Sequence, residues 1–189
     1  KAHFARAEAY AAEKKWNEAV LEYQLAIRAD PAMADAYLKS GDALLQINDM
    51  SGALAAYARA ADLLPKSIDA KVKAASMRLR ARQFPEAQKL AEEAIELDPK
   101  NVVAIVLKAN ALGELKDVDE AVAEIQAAIK IAPDEAELYS SLGGLEMQQK
   151  EMADAQGYVV GSNTGGATLG DVMRGKLGDL AGGKKEKGK

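Results

Sequence analysis

Apolar residues recur three and four positions apart along most of the chain, as in "AYLKSGDALL" at residues 36–45, and these runs are broken by short polar joints such as "ADPAMAD" at residues 29–35. That spacing predicts amphipathic helices separated by tight breaks rather than strands. At this first joint Asp30 and Pro31 end one helix, and the apolar spacing resumes at Ala36. The pattern therefore predicts an all-α protein.

The joint is periodic. Pro31, Pro65, Pro99 and Pro133 stand 34 residues apart. Twelve residues before them stand Ala19, Ala53, Ala87 and Ala121, and five before them stand Ala26, Ala60, Ala94 and Ala128. Ala7, Gly41, Ala75, Ala109 and then Gly143 form a further small-residue series, marking places where helices must touch. Between the two halves of each unit, Lys14, Asn48, Arg82, Lys116 and Lys150 precede Trp16, Met50, Phe84, Val118 and Met152, a turn residue two positions ahead of an apolar plug.

On these positions the chain resembles the tetratricopeptide repeat family, whose period is 34 residues. The resemblance implies a right-handed superhelix of antiparallel helix pairs, with four full repeats at about 1–33, 34–67, 68–101 and 102–135 and a partial fifth at 136–160. Each proline is expected to set the first turn of the next helix, where its missing N–H costs nothing. One pair cannot bury its apolar face alone, so neighbours stack, and the array presents a groove rather than a closed pocket. Lys71 and Arg78 occupy positions that are Tyr37 and Leu44 in the second unit, and Ile105 and Leu112 in the fourth. They are expected to snorkel or to pair with a carboxylate, the alternative being a soft spot where the array flexes.

The resemblance also implies which residues face the groove. The first unit contributes Phe4, Glu8 and Ala11, and the second Asp35, Leu38, Lys39, Asp42 and Leu45. The third contributes Asp69, Val72, Lys73, Ser76, Leu79 and Arg80, and the fourth Val103, Val106, Asn110 and Glu114. Phe4, Leu38, Val72 and Val106 would form one apolar line, with Leu45 and Leu79 as a second; the alternative is that they only pack within the array. Family members that clamp acidic chaperone tails carry a Lys where this chain has Phe4, Leu38, Val72 and Val106. That reading is rejected here, although Asn110 is suitably placed. The expected partner is an amphipathic helix or a mixed-charge peptide of another protein. The function implied is a non-enzymatic interaction scaffold. The alternatives are the recruiting domain of a larger enzyme, such as a glycosyltransferase or protease, and an array that assembles with itself.

Beyond the fourth unit the pattern drifts. Ser162 replaces the second alanine, Glu146 stands where Tyr10, Leu44 and Leu112 stood, and no proline follows, as in a polar terminal repeat or a truncated one. "GSNTGGATLG" at residues 161–170 reads as a flexible linker. Gly161, Gly166 and Thr168 match the spacing of a phosphate-binding loop, but Ala167 stands where its Lys is required, so no nucleotide is expected. Leu169, Val172, Met173, Leu177 and Leu180 share one helical face, interrupted by Gly170, Gly175 and Gly178. A helix at 168–180 is expected only when packed on apolar surface, with a Lys-rich disordered tail after it.

Composition narrows the chemistry. The formal charge of the 189 residues is −4, and the last eight, "GGKKEKGK", are basic, so the body is more acidic than the total. An acidic body without a basic, aromatic-studded stripe repels phosphate, and nucleic acid is not an expected partner. There is no Cys, and His3 is the only histidine, a surface or packing residue that supports neither a catalytic triad nor a multi-histidine metal site. "DVDE" at residues 117–120 lacks the Gly and distal Glu of a calcium loop and reads as an N-cap with first-turn carboxylates. No cofactor, metal or catalytic residue is expected. No apolar run approaches the roughly 20 residues a membrane span requires. The start at Lys1 reads as a mature or trimmed fragment, and the style of "EKKWNEAVLEYQLAIRADP" resembles bacterial exported or lipid-anchored members of the family, which points to the periplasm or cell envelope.

Overall fold

Each 34-residue segment becomes two helices because its interior is rich in Ala, Leu, Glu and Lys, and because a fixed turn closes every pair. The computed structural model describes residues 1–163, with side chains through residue 155. The helices are α1 (Ala2–Ala12), α2 (Trp16–Ala29), α3 (Ala34–Gln46), α4 (Met50–Leu63), α5 (Ile68–Arg80), α6 (Phe84–Leu97), α7 (Val102–Glu114), α8 (Val118–Ile131) and α9 (Ala136–Asn163). Every regular element among the described residues is a helix. Residues 1–146 form one compact unit, and residues 147–189 are grouped as a second.

From α1 to α8 each helix packs on its sequence neighbours, and α5 also lies along α7. The alanine series makes this close approach feasible. Ala19, Ala53, Ala87 and Ala121 are wholly buried, and Ala26, Ala60, Ala94 and Ala128 nearly so. A methyl group lets two helix backbones approach without a cavity, and any larger side chain there would have to displace a neighbouring helix.

The turns are as uniform as the alanines. Lys14, Asn48, Arg82 and Lys116 all adopt left-handed backbone, with φ between 58° and 75°. The amide three residues beyond each preceding helix then bonds back in the 6→1 pattern of a Schellman motif, Lys15 to the Tyr10 carbonyl, Asp49 to Leu44, Gln83 to Arg78 and Asp117 to Leu112, each at 2.9 Å. Asp49, Ser67 and Asn101 cap α4, α5 and α7 with side-chain oxygens.

Four expectations change. The periodic prolines do not begin the next helix: Pro31 and its equivalents sit in the connecting turn, just beyond the C-cap of α2, α4, α6 and α8, where a residue unable to continue a helix is favoured. The aperiodic Pro85 instead occupies the first turn of α6. Asp117 holds the N-cap position of α8 but makes no side-chain cap bond, so only Asp119 and Glu120 of that cluster favour the helix dipole. The fifth turn expected at Lys150 is not made; α9 runs through it for 28 residues and includes Gly161, Ser162 and Asn163, which had read as linker. No proline interrupts that stretch, and the i→i−4 ladder continues. The rest of the expected linker, the 168–180 helix and the Lys-rich tail lie outside the described residues.

Candidate binding groove

In the first two helix pairs a tyrosine from the second helix reaches a carboxylate 15 residues earlier on the first. Tyr23 donates its hydroxyl to Glu8, and its ring meets Phe4 edge-on with centroids 5.8 Å apart. Tyr57 donates to Asp42 at 2.7 Å. Its ring presses on α3, and a Cβ placed on Gly41 would lie 2.6 Å from it. Lys73 of α5 completes the arrangement, donating to Asp42 at 2.6 Å, lying 3.8 Å from Asp69 and standing 5.6 Å from the Tyr57 ring centre. Burial first, and then the bond to a carboxylate, push both phenols well above their ordinary value near 10. Each therefore remains a donor across the physiological range.

The pattern stops at the third pair. Ser76 and Ala91 replace carboxylate and tyrosine, and Asn110 and Ile125 do so in the fourth. Over Ser76 a pocket of about 330 Å³ opens. Its wall is built from Leu45 of α3, Tyr57 of α4, Val72, Lys73, Ser76, Met77 and Arg80 of α5, Val103, Val106, Leu107 and Asn110 of α7, and Glu137 of α9. Val103 is 46% exposed, a large apolar side chain open to solvent. Lys73 is occupied by Asp42 and Asp69, whereas Arg80 is exposed and makes no hydrogen bond or ion pair with the described residues. The arrangement offers apolar area with a few directed polar groups at its edge, suited to holding a side chain and orienting the backbone beside it.

The expected groove residues divide accordingly. Leu45, Val72, Lys73, Ser76, Arg80, Val103, Val106 and Asn110 converge on this pocket. Phe4 and Leu38 are half-buried against a core shared by the first three pairs, and Leu79 packs beside the buried cluster of Ala75, Ala91 and Leu107. Glu8 and Asp42 are held by the tyrosines. Asp35 and Lys39 are exposed and do not line the pocket. Tyr57, Met77, Leu107 and Glu137 were not anticipated. For Tyr57 the signal was available: the 15-residue spacing from Asp42 repeats that from Glu8 to Tyr23.

Away from the groove, Lys71 is buried and donates to Glu93, in line with the pairing expectation. Arg78 donates to the Gln83 amide oxygen at 2.6 Å instead of a carboxylate, and its Nε is buried without a partner. Both line a smaller cavity of about 220 Å³ with Asp62, Glu86, Lys89 and Glu93. Lys108 donates to Glu124 at 2.5 Å, with Glu92 and Glu120 each 3.9 Å away. His3 binds Glu22 at 2.7 Å. Among the described residues no cluster of His, Asp or Glu is arranged to hold a metal ion, and no helix is long and apolar enough to cross a membrane.

Two family models described as tetratricopeptide repeat match residues 4–68 and 78–145, together more than half of the chain. The chain belongs to the tetratricopeptide repeat family. No curated protein sequence matches it significantly. Among solved structures, the crystal structure of MamA protein is 17% identical, with a TM-score of 0.72, covering 88% of this chain and 96% of that one. YrrB, described as a TPR protein with an unusual peptide-binding site, is 18% identical, with a TM-score of 0.68, covering 78% of this chain and 76% of that one. The first TPR of Spaghetti (RPAP3), bound to an HSP90 peptide, is 18% identical, with a TM-score of 0.55, covering 62% of this chain and 95% of that one. At these identities the likeness is one of fold.

Proposed function

We propose that this tetratricopeptide repeat chain is a protein-interaction module that takes a segment of a partner protein against α3, α5 and α7, with one apolar side chain seated in the pocket over Ser76. The observation that carries the reading is the break in the tyrosine–carboxylate pattern. Tyr57 and Asp42 satisfy each other, whereas Ser76, which stands in the carboxylate's position in the third pair, lines an open pocket together with Arg80 and Asn110. Peptide binding by YrrB and by RPAP3 supports the same use of the fold here. A binding role fits the charges, since Lys73 in the pocket wall is neutralised by Asp42 and Asp69.

The test is a phage-displayed peptide library selected on the full chain, with the enriched peptides measured by calorimetry against the Val103→Asp, Arg80→Glu double variant. Both positions are exposed, so the fold should be unaffected. Affinity should fall at least tenfold, about 1.4 kcal/mol or more. Unchanged affinity would place the site elsewhere.

A further inference from the structure

The side of α5 turned away from the groove borders the smaller cavity, of about 220 Å³, between α4, α5 and α6. Helical spacing puts Lys71 and Arg78 nearly opposite Ser76 and Arg80 on that helix. The same cleft occurs 34 residues earlier, at about 400 Å³, between α2, α3 and α4. There Tyr37, Leu44 and Ala55 stand in the wall; here Lys71, Arg78 and Lys89 hold the equivalent positions. Three carboxylates enter with them, Asp62 for Arg28, Glu86 for Gly52 and Glu93 for Arg59. A wall that is mainly apolar in one unit is ionic in the next.

Most of these charges answer one another. Lys71 donates to Glu93, and Arg59 reaches Asp62 at 4.0 Å. Glu86 and Lys89 are exposed and three residues apart on α6, where opposite charges offset each other through solvent. Arg78 is left over. Its Nη1 donates to the neutral amide of Gln83, its Nε is buried without a partner, and it forms no ion pair with the described residues. A guanidinium that has lost water on one edge without gaining an acceptor there keeps an unmet demand for negative charge.

We propose that this cleft binds a carboxylate carried on a short apolar stem, with Arg78 as the cation that receives it. The planar fork of an arginine matches a carboxylate, and the cleft's excess of one positive charge is balanced by a monoanion. A phosphate dianion would exceed that balance and meet Asp62 and Glu86, both exposed. Ala58, Ala61 and Leu90 supply the apolar wall for the stem. A Glu side chain of a partner protein and a small organic acid share this chemistry. Lying across α5 from the pocket over Ser76, the cleft gives the chain a second, separate point of contact.

The arginine Nε–H signals of the full chain, followed by nitrogen–proton NMR, read the site directly. The Arg78 signal is the one missing from Arg78→Leu, a variant that restores the residue of the second and fourth units. Sodium butyrate should shift it saturably, and sodium chloride at equal ionic strength should not. The blocked tripeptide Ala-Glu-Ala is the second probe: binding at least as tight as that of butyrate assigns the cleft to an acidic side chain of a partner, and weaker binding assigns it to free acids. Glu86→Gln should tighten butyrate binding roughly two- to fivefold by removing a repelling charge. The Val103→Asp, Arg80→Glu variant should bind butyrate as the parent does, whatever becomes of its peptide binding. The site is overturned if neither probe moves the Arg78 signal beyond the chloride control, or if butylammonium moves it equally. Binding confined to Glu86→Gln would overturn it too, by showing that Glu86 already serves Arg78.

Discussion

The second and third helix pairs share a backbone plan and differ in what fills it. In the second, α3 and α4 close on an aromatic ring lodged against Gly41, with the phenol bound to Asp42. In the third, Ser76 of α5 lines the pocket, Ala91 of α6 is buried beside Ala75 and Leu107, and Lys71 pairs with Glu93. The second pair spends its aromatic residue on cohesion. The third has no such ring and is held in part by an ion pair, which contributes little net stability because desolvating two charges offsets most of their attraction.

The largest effect that would break the contrast is expected from Tyr57→Ala, which gives the second pair the residue the third already has. Tyr57 is 2% exposed, and its removal should cost about 3–5 kcal/mol, read from urea unfolding. A loss under about 1 kcal/mol would show that the ring is not what holds the pair. The ion pair is the next in size. Lys71→Ala leaves Glu93 without its cation; because the Glu93 side chain is 34% exposed, the expected loss is about 1–2 kcal/mol rather than the 3–5 kcal/mol of a fully buried pair. Lys71→Ile, the fourth unit's residue, restores apolar area and should lie closer to the parent protein than Lys71→Ala does. The reverse order would mean that the ion pair itself supplies the cohesion.

The smallest effect is in the pH dependence. Raised folded-state values at Tyr23 and Tyr57 mean that the unfolded chain loses these protons first, near pH 10. Their contribution is fully present below that pH and declines above it. Thermal melts from pH 8 to pH 11 should show the midpoint falling above about pH 10, and falling less in a Tyr23→Phe, Tyr57→Phe double variant. Equal slopes would remove the phenols from the account.

The family and the four helix pairs were legible in the sequence because the interval between alanines, turn residues and prolines is set by geometry that recurs whole. The role of the prolines was misplaced because spacing reports a joint without saying which side of it a residue serves. About half of the expected groove residues meet at one pocket, since helical spacing selects the correct face of α5 and α7. Tyr57 was missed because a residue on the second helix of a pair reads as core until its reach to Asp42 is seen. Lys150 misled in another way. Its position in the register demanded a turn, but a register records what a sequence descends from, whereas a Schellman turn also needs a following helix that gains by packing back.

The sequential packing of α1 to α8 also governs how the array forms. Contacts join mainly neighbours along the chain, so little loop-closure entropy stands between a nascent helix pair and its partners, and folding is expected to be rapid and to start from more than one place. Stability in such an array accrues unit by unit, and a pair flanked on both sides opens less readily than one with a single neighbour. The pocket over Ser76 lies between interior pairs, where opening is rarest, so a bound segment would meet a surface already assembled by its neighbours on both sides.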